Sequence, residues 1–125
     1  MADKVALVLA LKDGQIIAGA LNFIGNDTLY GRNWGCNQDF KFLHFEACYY
    51  QAIEFAIEHG LQRVEAGAQG HHKLQRGYLP VTTYSAHLLA DAGFANAVQK
   101  FLNHEKTVVA EEIEAMMQDS PYRSA

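Results

Sequence analysis

Residues 42–59 read FLHFEACYYQAIEFAIEH, from Phe42 to His59, and the hydrophobic period changes here. Phe42, Phe45, Tyr49, Ala52, Ile53 and Ala56 recur three or four apart, the spacing of one helical face. Asp39 stands where an N-cap is expected and Gly60 where a left-handed C′ residue is expected. A helix at this point decides the fold class, because the residues on either side of it read as strands.

Working back toward the N-terminus, Val5 to Leu11 is almost continuously apolar, which suits a strand buried on both faces. Asp13-Gly14 is a strong hairpin signal, since both positions tolerate positive φ. Gln15 to Ile24 is the returning strand, Gly25-Asn26-Asp27 a second turn, and Thr28 to Trp34 a third strand. Forward of the helix, Gln62 to Ala66 is a short strand. Tyr78 to Leu89 (YLPVTTYSAHLL) is β-like, with Pro80 favouring a sheet edge or the start of the strand. From Asp91 on, Phe94, Val98, Phe101, Leu102, Val109, Ile113 and Met116 trace a long amphipathic helix that Asn103-His104 kinks or divides and Ser120-Pro121 ends. The order predicts an α+β fold in a single domain over residues 1–125: a mixed, mostly antiparallel sheet of about five strands with two main helices.

Half of the residues are apolar and 19% are charged, the composition of a folded globular chain. The net charge of −4 argues against DNA as a partner, since phosphate affinity comes from clustered Lys and Arg. Lys4, Lys12 and Asp13 bound the first apolar run too closely for a signal peptide. No run approaches the roughly 20 residues that span a bilayer, so the expectation is a cytoplasmic protein without membrane contact. Two cysteines, Cys36 and Cys48, suit a reducing compartment.

Between the short strand and the β-like segment lies EAGAQGHHKLQRG, Glu65 to Gly77. It is no Walker loop, because Lys73 is followed by Leu74 and not by a hydroxyl residue. It does not open a helix as a dinucleotide fingerprint should. Adjacent His71 and His72 diverge in extended chain and do not make a metal pair, so no metal is expected. Two readings stay open. The loop is a solvated turn, or it binds an anion through the backbone at Gly67 and Gly70 with charge from His72, Lys73 and Arg76.

LHFEACYYQAIEFAIEHGL (Leu43 to Leu61), VEAGAQGHHKLQRGYLPVTTYSAH (Val64 to His87) and the upstream ALNFIGNDTLYGRNWG (Ala20 to Gly35) closely resemble the bacterial FemAB-like family of peptidoglycan biosynthesis or recognition proteins. The likeness runs from Val5 to Pro121 and matches the C-terminal half of longer relatives. It implies half of a GNAT-like acyl-CoA N-acyltransferase fold, in a superfamily whose Fem members transfer aminoacyl groups from tRNA to peptidoglycan precursors. Acyl-CoA or aminoacyl-tRNA would then be the donor substrate, with no separate cofactor. Glu65-Ala66-Gly67 and His72-Lys73 would correspond to a strand, a glycine turn and a lysine, making the loop a strand-to-strand connection that lines an acyl-donor cleft. Two departures stand out: His71 replaces a Glu common among relatives, and the GNAT pyrophosphate loop is missing.

Acyl transfer needs a base for the attacking amine and donors for the carbonyl oxygen. Glu46, among Phe45, Ala47 and Cys48, would gain a raised pKa on a sheet-facing side; otherwise it bonds nearby backbone or Arg32. Glu65 competes for the same role. Arg32, Trp34 and His44 would border the cleft, Arg32 and His44 as ligand-binding candidates, though an aromatic on a strand is more often core. A second class of function is a non-catalytic binding or assembly module. An uncovered sheet edge and the apolar face of the last helix lead us to expect a homodimer, with Phe94, Phe101 and Leu102 divided between core and interface.

Overall fold

The computed structural model describes residues 1–67 and 71–122. They fall into two compact units divided after Gln69, and each is described by itself.

The first unit opens with a 3-10 turn, Ala2–Lys4. Three strands follow: β1 (Val5–Lys12), β2 (Gln15–Ile24) and β3 (Thr28–Cys36). β1 and β2 are joined at Asp13 (φ 51°) and Gly14 (φ 76°), the paired positive φ of a type I′ hairpin. Gly25 N–H donates to the Thr28 carbonyl at 2.8 Å and closes the next turn. A helical run, α1, then starts at Phe42, itself left-handed at φ 67° with no side-chain cap. Asp39 is therefore not the N-cap. α1 comprises an α turn (Leu43–Phe45), a π-helical turn (Glu46–Tyr50) and an α segment (Gln51–Glu58). Gly60, at φ 67°, takes the left-handed position after it. β4 (Arg63–Glu65) completes a four-stranded sheet in the order β1-β2-β3-β4. The first two pairings are antiparallel and β3–β4 is parallel.

The core explains the sequence's alanines. Ala6, Ala18 and Ala20 on the sheet and Ala47, Ala52 and Ala56 on α1 are all buried. Small side chains let a helix approach a sheet closely, and larger ones then fill the ends. Leu29 is completely enclosed, packed with Ala6 and Ala52 and bordered by Ile24, Phe55, Leu61 and Val64. Asn22, buried on the same face, turns its amide nitrogen to the carbonyls of Ala6 and Ala20 at 3.5 Å.

β1 is not buried on both faces as its unbroken apolar run suggested. Leu7, Leu9 and Leu11 are 58, 43 and 61% exposed, because α1 covers the opposite face.

In the second unit a 3-10 turn (His71–Arg76) precedes a long helix, α2 (Ala92–Gln118), whose N-cap Asp91 accepts from Phe94 N–H at 2.6 Å. α2 continues through Asn103-His104 without division. Residues 78–89 form no strand, so the described sheet has four strands and not five. Pro80 removes one ladder donor. Tyr84 and Leu88 lie 92 and 98% exposed, since strand-prone residues pair only where an edge meets them. α2 buries none of its residues; Phe94 and Phe101 are exposed and Leu102 is half-buried. The architecture is α+β with two main helices, as read from the sequence, and the β-β-β-α-β order of the first unit agrees with half of a GNAT-like fold. Among the described residues no helix is long and apolar enough to cross a membrane.

Candidate functional site

The parallel pair fixes where a ligand would lie. β3 and β4 run together only over Thr28–Arg63, Leu29–Val64 and Tyr30–Glu65, and then part. β3 continues to Cys36 while β4 ends at Glu65. From Gly31 onward the outer edge of β3 has no paired strand among the described residues. At the parting point the backbones nearly touch: a Cβ on Gly31 would meet the Glu65 carbonyl oxygen at 3.3 Å and the Ala66 Cα at 3.8 Å.

A bulge sits beside that point. Leu21 pairs with Asn33 and Asn22 with Gly31, so Arg32 is an extra residue in β3. A bulge bends its strand and re-aims side chains. Here it carries an exposed Arg32 at the open edge. The sequence signal was the loss of alternation at Gly31-Arg32, which the strand reading passed over.

α1 begins at the same end, after the C-terminus of β3. Its His44 ring, half-buried, lies 5.4 Å from Trp34 on β3, 5.6 Å from Phe45 and 5.4 Å from Tyr49. Ligands commonly bind beyond the carboxyl ends of parallel strands, and π turns recur at functional sites. His44 and Trp34 meet near the C-terminal end of β3, whereas Glu65, paired with the exposed Tyr30, follows the core residue Val64 and stands on the opposite face of the sheet.

Glu46 departs from expectation. It is exposed, and its Oε1 accepts from Gln51 Nε2 at 3.0 Å; it is neither desolvated nor bound to Arg32. Glu65 is half-buried at the end of β4. Gly67, two residues past β4, has a positive φ of 78°. Cys48 is half-buried, and burial pushes its thiol up to about 11, consistent with an inert side chain.

In the second unit, the 3-10 turn holds the basic residues. Arg76 Nη1 donates to the His72 carbonyl at 3.0 Å, tying the guanidinium to its own turn. Desolvation lowers the Lys73 pKa, and His72 is exposed. The chain that follows the turn forms no strand, which corrects the expected strand-to-strand connection. Gly70 lies outside the described residues. Among the described residues no three His, Cys, Asp or Glu side chains gather as a metal site.

The model of the FemAB-like family, described as peptidoglycan biosynthesis/recognition, matches residues 1–124. No curated protein and no solved structure matches the chain. With the match running over nearly its whole length, the chain belongs to the FemAB-like family of peptidoglycan biosynthesis and recognition proteins.

Proposed function

We propose that the chain is a GNAT-like acyl or aminoacyl transferase domain serving peptidoglycan biosynthesis. The observation that carries this reading is the parting of β3 from β4 after Tyr30–Glu65. An open strand edge offers alternating N–H and C=O groups to any extended, amide-bearing chain, which can add to it like a strand. The arm of an acyl-CoA, or the peptide of a cell-wall precursor, has that chemistry.

In the transfer step the acceptor amine attacks the donor's acyl carbon, forming a C–N bond. Glu65 accepts the amine proton as general base. Backbone N–H groups along the free β3 edge hold the developing oxyanion. The C–S or C–O bond to the donor then breaks, and the proton held by Glu65 passes to the leaving thiolate or alkoxide. Arg32 supplies positive charge beside the anionic part of the donor. In the second unit, His72, Lys73 and Arg76 form a separate basic turn suited to phosphate.

One observation favours the non-catalytic alternative: Glu46 is exposed and engaged by Gln51, so Glu65 alone serves as the base. The deciding experiment is calorimetric titration with acyl-CoA, aminoacyl-tRNA and cell-wall precursors, followed by a transfer assay with Glu65→Gln. Donor binding with transfer that Glu65→Gln abolishes supports the transferase. Precursor binding without transfer, unchanged by Glu65→Gln, supports the binding module.

A further inference from the structure

β1 is an end strand, paired along its whole length with β2 and with no other described strand. Natural sheets blunt such edges with charge, Pro, bulges or brevity, and β1 carries only the charge of Lys12 at its last position. It is eight residues long, and between Lys4 and Lys12 it has neither a charge nor a Pro. The irregularity opposite it puts the extra residue, Ile17, into β2: Ala10 pairs with Ala18 and Leu11 with Ile16. The outer edge of β1 is therefore regular. Lys12 is drawn aside, its Nζ 4.9 Å from the centre of the Phe40 ring, and Asp3 faces the N-terminal ammonium at 3.6 Å.

The sequence of this edge names its partner. Asp3 to Asp13 reads DKVALVLALKD, which is palindromic about Val8 apart from the exchange of Val5 for Leu11. We infer that β1 pairs antiparallel with β1 of a second copy of this chain across a two-fold axis beside Val8. A two-fold perpendicular to the sheet keeps each face on its own side, so residues whose numbers sum to sixteen stand opposite one another. Leu7 meets Leu9 on the exposed face, Ala6 meets Ala10 on the helix face, and large stands against large and small against small. The same register sets Lys4 opposite Lys12 and Asp3 opposite Asp13, like charge against like, but only at the two ends of the ladder. There Lys12 turns to the Phe40 ring and Asp3 to the N-terminal ammonium. No charge stands between Val5 and Leu11. The apolar strip of Leu7, Leu9, Leu11 and Ile16, half or more exposed in each copy apart from Leu9 at 43%, becomes continuous across the axis. An eight-stranded sheet results, within the normal size for open sheets, and the exposed β1 edge of each copy disappears. An isologous contact of this kind closes at two copies.

The test uses the full chain in a Cys36→Ser, Cys48→Ala background, with Val8→Cys added. Opposed residues of an antiparallel pair have Cα atoms about 4.5–5.5 Å apart, inside the range of roughly 4.4–6.8 Å that a disulfide spans. Mild oxidation should give a covalent dimer and nothing larger, whereas Tyr84→Cys in the same background should stay monomeric on a reducing-agent-free gel. Sedimentation of the unmodified chain at micromolar concentration should give twice the 13.9 kDa chain mass. Leu9→Lys should halve that mass while circular dichroism keeps the folded spectrum. A monomeric unmodified chain, or a dimer that survives Leu9→Lys and gives no Val8→Cys cross-link, overturns the inference.

Discussion

Gly31 has no side chain where β4 lies closest to it, and a Cβ there would stand 3.3 Å from the carbonyl oxygen of Glu65. Backbone cannot swing aside as a flexible side chain can. Gly31→Val should therefore push the parallel strands apart and cost about 1–3 kcal/mol, the usual penalty of overpacking. Gly35, four residues on, has nothing within 4 Å of the same position, so Gly35→Val should change stability by only about 0.5 kcal/mol. Urea unfolding of the two variants measures the difference; equal losses would mean that the approach of Glu65 to Gly31 is unimportant.

The enclosed Leu29 gives the second prediction. Its neighbours Ala6 and Ala52 are small and lie on rigid elements, so they cannot collapse into a vacated space. Leu29→Ala should cost about 2–5 kcal/mol, a large share of the stability of a domain this size. Leu7→Ala, on the exposed face of β1, should cost far less in the isolated protomer. A thermal melt in which both variants lose the same amount would contradict the burial of Leu29.

The meander was legible because its turns are local. Asp13-Gly14 and Gly25-Asn26-Asp27 state the hairpins within a few residues, and Gln15–Ile24 was placed to the residue. What escaped depended on partners distant in sequence. The apolar run of β1 reads the same whether one face is covered or two. VTTY at Val81–Tyr84 has strand propensity wherever it lies, yet it pairs only if an edge is offered. The helical period did place Tyr49, Ala52 and Ala56 on the covered face, where they are buried; Glu46 lies off that face and is exposed. At the candidate site, the bulge at Arg32 and the parting of β3 from β4 were not legible, because both depend on pairing with distant strands.

The basic turn yields a third prediction. Lys73 and Arg76 lie on one 3-10 turn, with Arg76 already bonded to the His72 carbonyl. If the turn holds the phosphate of a donor, inorganic pyrophosphate should bind more weakly to Lys73→Ala and Arg76→Ala. The difference should be largest at low ionic strength, where charge is least screened. Calorimetry across a salt series would read it, and identical affinities throughout would exclude both residues.

The two thiols should separate cleanly with pH. Cys36 is exposed, whereas burial raises Cys48 from 9.0 to about 11. Only the thiolate reacts with iodoacetamide, so at pH 8 the native chain should be alkylated at Cys36 alone, with Cys48 reacting after denaturation. The same shift sets a direction for stability. Between pH 9 and about 11 the unfolded thiol has lost its proton while the folded Cys48 keeps it. The folded state then binds more protons, and stability falls as pH rises through that window. Cys48→Ala should remove this component of the alkaline slope; an unchanged slope would place its origin elsewhere.

The final prediction concerns α2, which buries none of its residues. With no side chain fully buried, a helix leans more on propensity and on its ends. At the N-terminal end Asp91 accepts from Phe94 N–H through its side chain at 2.6 Å and from Ala95 N–H through its carbonyl at 2.9 Å; only the first depends on the side chain. The carboxylate also faces the positive end of the helix dipole, adding a charge that Asn would not supply. Asp91→Ala should cost about 0.5–2 kcal/mol locally and Asp91→Asn less, because Asn keeps the acceptor. Amide exchange at residues 94–100 should quicken in Asp91→Ala, with exchange in β2 and β3 unchanged. Protection lost equally in both regions would mean that the helix and the sheet unfold together, and that the cap is not what holds the start of α2.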